Sequence, residues 1–222
     1  MLMVEIYGRK MKKGLLYIHG RGGEVKEAEH YKTLFPEYDV AGLDYRARTP
    51  WDAKAEFCRF FDLFKEKHNS VTIVAVSFGA FLALNAFNAR PIEMAYFISP
   101  IVDMEKLIRG MMAKANVTES ELKEKGIVRT DWGEDLSWKY LSYVTKYPIR
   151  WNVPTKILYG GKDDLTSVGT ITAFAKAHHA TLTVMENGEH WFHTDEQMAF
   201  LDNWIKRQTA DKQKGNDESI PR

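Results

Sequence analysis

Cysteine is nearly absent from this chain. Of 222 residues only Cys58 is one, so no disulfide can form within the chain. Cys58 sits among Phe57, Phe60 and Phe61 in a stretch of helical period, the setting of a buried, inert thiol rather than a reactive one. Charge of one sign is lacking too: 31 basic against 30 acidic residues leave a formal net charge of +1. The two signs are mixed along the chain. No basic stripe suggests a nucleic-acid partner, and no basic amphipathic face suggests a membrane surface. A membrane-spanning run is also missing. Residues 71–87 come nearest, but they are short and carry Ser77, Gly79 and Asn85. The opening MLMVEIYGRKMKKG places apolar residues ahead of basic ones, the reverse of a secretory signal. There is no internal repeat and no low-complexity linker. The expectation is a cytoplasmic protein whose length fits one domain with a substantial core and room for a cleft.

What is present is an alternation of strand-like and helix-like runs. Short apolar strands are expected at residues 1–7, 15–18, 38–43, 71–76, 94–98, 155–159 and 181–185. Helices are expected at 24–35, ended by Pro36, at 50–68, opened by Pro50, and after Ser77, at 168–178 and at 195–207. Such alternation predicts an α/β fold, a mostly parallel central sheet with helices on both faces. Between about 101 and 153 strand-like runs give way to helical segments rich in Met, Trp and Tyr (107–112, 120–125, 136–144). This reads as a small helical cap inserted over the open end of the sheet. The predicted core is therefore residues 1–100 with 154–207, the cap 101–153, and residues 208–222 a polar, disordered tail.

The most informative stretch is VTIVAVSFGAFLALNAF, residues 71–87. A buried strand turns abruptly into a helix at Ser77-Phe78-Gly79. Ala75 and Gly79, two residues either side of the serine, are small enough to fit a cramped turn. This is the nucleophile-elbow pattern with Ala in place of the first Gly; a serine N-cap at an ordinary junction is the plainer alternative. Ligands of parallel sheets bind at the carboxyl ends of the strands. The segments following the strands carry His19–Gly23, Asp44, Ser77, Ser99-Pro100, Asp163-Asp164 and His190. Serine needs an adjacent base to act as a nucleophile. Histidine suits that task near neutral pH, and a carboxylate holds the imidazole in its working tautomer. Ser77, Asp163 and His190 supply these in that order.

On these motifs the span 15–206 resembles the α/β-hydrolase fold family, in particular its small esterase/lipase-like and serine-aminopeptidase-like members. The matching pieces are His19-Gly20-x-x-Gly23, Ala75-x-Ser77-x-Gly79, Gly160-Gly161-Lys162-Asp163 and Gly188-Glu189-His190. The resemblance implies Ser77 as nucleophile, His190 as general base and acid, and Asp163 as orienting carboxylate. It also implies an oxyanion hole made by the backbone N–H groups of Phe78 and Arg21. Asp44-Tyr45-Arg46-Ala47-Arg48 stands where many relatives have a Gly-rich D-x-R-G-x-G loop, so this wall of the pocket departs from the family pattern.

Neighbouring residues compete for some roles. Asp164 rivals Asp163, and His193, three residues after His190, rivals it; the family register favours Asp163 and His190. His178-His179 fit a helix end. The Arg21 side chain reaches either into the cleft, favouring an anionic substrate, or into solvent. Of Trp132, Trp138, Tyr140, Tyr143, Tyr147 and Trp151, about two are expected to meet substrate, with Trp132, Trp138 and Tyr143 the chosen pocket candidates. Glu134 and Asp135 are either a site for a substrate amine or a solvated acidic face. No metal site and no cofactor are expected, since the His-x-x-His spacing lacks a helical i, i+4 partner. The predicted activity is hydrolysis of a small carboxylic ester or acyl substrate through an acyl-enzyme. The alternatives are peptidase, amidase or thioesterase action on the same triad, or a ligand-binding protein that has kept the fold without turnover.

Overall fold

The computed structural model describes residues 11–217, with side chains described as far as Ala210. Its centre is a six-stranded, all-parallel sheet. The strands are β1 (Lys13–Ile18), β2 (Tyr38–Gly42), β3 (Val71–Val76), β4 (Met94–Ile98), β7 (Thr155–Gly160) and β8 (Thr181–Met185), in the order β2-β1-β3-β4-β7-β8. The chain leaves β1 for one edge, then returns to lay β3 on the other side of β1. The strand order therefore reverses between β1 and β3, and a crevice opens at their carboxyl ends.

Period-two alternation divides the core into two layers. Leu16, Ile18, Ile73, Ala75, Ala95 and Phe97 face one side; there Phe57, Phe61, Phe81 and Phe87 of α2 (Pro50–Lys65), α3 (Ser77–Ala86) and the residue following it fill the space. Leu15, Tyr17, Val74, Tyr96 and Ile98 face the other, against Tyr31 of α1 (Ala28–Leu34) and Leu201, Trp204 and Ile205 of α8 (Asp195–Asp217). Every strand of the central four is covered on both faces, which is why it reads as a nearly unbroken apolar run.

Capping chemistry sets the helix starts. Thr49 accepts the Asp52 N–H at the head of α2, with Pro50 in the first turn, and the Ser167 hydroxyl accepts the Thr170 N–H at the head of α7 (Val168–Ala177). Between β4 and β7 lie α4 (Met104–Lys114), α5 (Glu119–Lys125) and α6 (Trp138–Lys146). Met104, Ile108, Met112, Leu122, Leu136 and Leu141 bury the inner face of this segment.

The structure departs from the sequence expectation in three places. The expected helix at 136–144 starts only at Trp138, because Leu136–Ser137 is a strand, β6, pairing antiparallel with β5 (Ile127–Val128). Two residues per strand are too few to show alternation. The helix expected from residue 24 opens with a 3₁₀ turn at Val25–Glu27 before α1 begins. Helix α8 continues past Arg207 to Asp217, where a disordered tail was expected. Once its docked turns are formed, each added residue gains a hydrogen bond without a new nucleation cost. The strand expected at residues 1–7 and the tail residues 218–222 lie outside the described residues. No helix among the described residues is long and apolar enough to cross a membrane.

Among the glycines of the described residues, the tightest approach is at Gly79, in the first turn of α3. A Cβ there would lie 2.1 Å from the carbonyl oxygen of His19 and 2.9 Å from that of Ile18, both backbone atoms. Gly79→Ala must push α3 away from the end of β1. The expected result is a stability loss of about 1–3 kcal/mol, read as a lower urea midpoint; an unchanged midpoint would mean that the helix and the loop do not press together.

Candidate active site

Three strand ends deliver the predicted residues to one point. Ser77 follows β3 directly, and its φ of 49° is the left-handed conformation of a sharp elbow. Holding a non-glycine residue there costs on the order of 1–3 kcal/mol, and the reward is a hydroxyl raised clear of both strand and helix. Its Oγ lies 2.7 Å from Nε2 of His190, and Nδ1 of His190 lies 2.7 Å from Oδ2 of Asp163. The Asp163 side chain is fully buried, while His190 keeps a small exposed edge. The second oxygen of Asp163, Oδ1, accepts the N–H groups of Leu165 at 2.8 Å and Thr166 at 2.9 Å. A carboxylate only accepts, so Nδ1 of His190 carries the proton and Nε2 is left bare for the serine.

Backbone geometry brings the acid and the imidazole together. Gly160 and Gly161 end β7 under the turn that follows β8: added Cβ atoms would meet the carbonyl oxygens of Glu189 at 2.3 Å and Glu186 at 2.5 Å. The Gly161 N–H donates to Met185 and the Lys162 N–H to Gly188, each at 2.8 Å. The Tyr159 hydroxyl donates to the Thr166 carbonyl at 2.6 Å and holds the far end of the acid loop. Burial, and after it the nearby Asp163 charge, raises the Tyr159 pKa.

The His19–Gly23 loop lies against the elbow, with the Cβ position of Gly20 only 3.3 Å from that of Ser77. The Phe78 N–H belongs to the first turn of α3, where no intrahelical acceptor exists. Tyr45 fixes this loop. Its ring stacks on His19 at 4.3 Å between centroids, and its hydroxyl donates to the His19 carbonyl at 2.7 Å. Burial raises the Tyr45 pKa, which keeps this donor protonated. Tyr45 was seen in the sequence only as part of a divergent loop; its stacking partner lies 26 positions away, and no local pattern announces it.

Two clefts meet beside the elbow. The first, of about 770 Å³, is lined by Ser77 and Phe78 and by apolar residues that include Ile101, Met104, Leu107 and Met111. The second, of about 760 Å³, runs along His19–Gly22 and the 45–48 loop. Arg21, Arg48, Phe78, Glu134, Asp135 and Tyr140 line both. The Arg21 guanidinium neither enters the first cleft alone nor stands free in solvent. It binds Glu134 at 2.5 Å, joining the loop after β1 to the 101–153 segment.

The aromatic candidates separate. Trp132 and Tyr140 line clefts. Of the other pocket candidates, Trp138 has Lys123 over its ring, and Tyr143 meets Trp51 edge-on and Tyr147 at a tilt; neither lines either of these two clefts. Tyr143 is a helical neighbour of Tyr140, three residues on, whereas Trp138, two residues before it, falls on another side of α6. Trp151 is in the core, donating from Nε1 to Thr155. Asp164 lies at the rim of the first cleft, outside the hydrogen-bonded chain. His193 turns to the Trp191 carbonyl, and His178 to that of Trp151. Cys58 is half-buried, directed at the Ala86 carbonyl.

No family model matches the chain, and no curated protein does. Solved structures do. Est1E from Butyrivibrio proteoclasticus superposes with a TM-score of 0.72 at 13% identity, over 93% of this chain and 90% of that one. Alpha/beta hydrolase domain-containing protein 10 from mouse gives 0.66 at 13% identity, over 89% and 90%. A lipase-esterase related protein from Clostridium acetobutylicum gives 0.59 at 16% identity, over 90% and 96%. Likeness at this identity establishes the fold, and it is the α/β-hydrolase fold expected from the sequence.

Asp163→Asn would set an amide N–H against Nδ1 of His190, moving the ring proton to Nε2. The expected outcome is a switch of the His190 neutral tautomer in ring ¹⁵N NMR, with loss of the strongly deshielded Nδ1 proton; an unchanged spectrum would contradict the assignment.

Proposed function

We propose that this α/β-hydrolase-fold chain is a serine hydrolase that cleaves a small carboxylic ester through an acyl-enzyme intermediate. The observation that carries this reading is the unbroken chain of hydrogen bonds from Ser77 through His190 to buried Asp163, 2.7 Å at each step. A hydroxyl, an imidazole and a carboxylate in that order are what acyl transfer requires.

In this reading Ser77 Oγ attacks the ester carbonyl while Nε2 of His190 takes its proton. The developing oxyanion is received by the N–H groups of Phe78 and Arg21, each such donor being worth about 3–4 kcal/mol of transition-state stabilisation in hydrolases of this type. His190 then protonates the departing alcohol, and water, activated by the same imidazole, releases the acid. Residues 101–153 act as the cap that walls the acyl side. No metal and no cofactor takes part, and the setting is the cytoplasm. Ester is favoured over a substrate with a free amine because Glu134, one of two carboxylates available to hold such an amine, is already paired with Arg21. The esterase names carried by several fold neighbours are consistent with this chemistry.

Ser77→Ala is expected to lower p-nitrophenyl acetate turnover by about a thousandfold or more and to abolish labelling by a fluorophosphonate probe. Retention of most activity would remove the nucleophile assignment, and absence of labelling in the unaltered protein would favour the non-catalytic alternative.

A further inference from the structure

The second cleft is built to receive negative charge, and we propose that it is a leaving-group subsite for an alcohol carrying a carboxylate or phosphate. This inference rests on the esterase reading above. Arg21 and Phe78 line both clefts, so an ester carbonyl held at their N–H groups extends one arm into each. The acyl arm stays bonded to Ser77, which lines the first cleft only. The alcohol arm is left for the second.

The walls of the second cleft carry Arg21, Arg46 and Arg48 against Glu134 and Asp135. Arg21 and Glu134 neutralise each other. The guanidinium groups of Arg46 and Arg48 have no hydrogen-bond or ion-pair partner among the described residues, and the acids nearest in sequence are occupied elsewhere. Both oxygens of Glu56 accept backbone N–H groups, of Arg46 at 3.3 Å and Ala47 at 3.2 Å. Asp52 is held by Thr49 at the head of α2. Asp44 lines neither cleft. Glu56 and buried Ala47 anchor the loop while Arg46 and Arg48, two residues apart and both exposed, share its open side. Two unpaired cations face one unpaired acid, Asp135, which leaves the cleft with a surplus of positive charge. A planar guanidinium matches carboxylate and phosphate oxygens in pairs. Tyr140 lies in the wall common to both clefts, with its hydroxyl buried and unpartnered.

The test compares acetate esters of phenols bearing, in the para position, a carboxylate, a carboxamide, a phosphate or a trimethylammonium group. The ratio of kcat/KM for the carboxylate over the carboxamide is expected to drop about fivefold to thirtyfold in Arg48→Gln, and further in Arg46→Gln/Arg48→Gln, chiefly through KM. Added salt should erode the same ratio in the unaltered protein, since the guanidinium groups are solvated. The carboxylate and phosphate esters show which anion fits. Equal ratios in protein and variants, or preference for the trimethylammonium ester, would overturn the subsite. Failure of every ester, the carboxamide included, would instead sink the esterase reading. Calorimetric binding of 4-hydroxybenzoate against 4-hydroxybenzamide then decides the subsite without turnover: selective binding lost in Arg48→Gln supports it, and equal binding overturns it.

Discussion

The buried carboxylate of Asp163 is the constraint on which the site depends. A charge with no exposure is tolerable only when its oxygens are fully bonded, since an unpaired one costs several kcal/mol. Three donors converge on it: the N–H groups of Leu165 and Thr166 and Nδ1 of His190. None could arrive alone. The first two need the loop after β7 to coil back on its own aspartate. The third needs the turn after β8 to sit flat on Gly160 and Gly161, where any side chain would strike backbone within 2.3–2.5 Å. Pairing of β7 with β8 is thus coupled to the state of the imidazole, and through it to the reactivity of Ser77.

The elbow obeys a matching steric logic on the opposite side of the crevice. A left-handed serine is strained by itself, and the fold holds it by wedging Gly79 under the end of β1. The His19–Gly23 loop lies against the same elbow. One contact between α3 and β1 therefore positions both Ser77 and the loop of the proposed oxyanion donors. The strand order explains why this occurs here: β1 and β3 flank the place where the chain changes direction across the sheet.

This division of labour tracks what could be read from the sequence. The strands, the elbow and the order of serine, aspartate and histidine are local or periodic features, and each leaves a mark within a few residues. Gly79, Gly160 and Gly161 are small because backbone passes within van der Waals range of each; the elbow spacing marks Ala75 and Gly79, and the family resemblance marks the glycine pair. The two-residue strands at Ile127–Val128 and Leu136–Ser137 leave too short a trace for periodicity to detect. Tyr45 on His19 and Arg21 on Glu134 join residues 26 and 113 positions apart. Such pairings follow from tertiary placement, and a tyrosine or arginine in a loop looks the same with or without them. That Trp138 and Tyr143 line neither cleft has a related reason: helical spacing gives the relative angle of two side chains but not which angle faces the site.

Reactive and selective parts of the molecule also differ in how they are held. Asp163, His190 and the glycines beneath them are locked by backbone contacts from several strands, so nearly any substitution there disturbs more than one element. Arg46 and Arg48 project from a loop whose backbone is pinned by Glu56, and their guanidinium groups make no hydrogen bond or ion pair among the described residues. Exchanging them costs the fold little. On the proposed reading, such a scaffold keeps its triad unchanged while two exposed side chains reset the substrate charge it favours. The Arg21–Glu134 bridge stands at the border between these regimes, a partly solvated pair tying the loop of a proposed oxyanion donor to the segment that lines the first cleft. Solvent screening keeps such a pair weak, so it fixes the relative position of loop and cap without committing the fold to it.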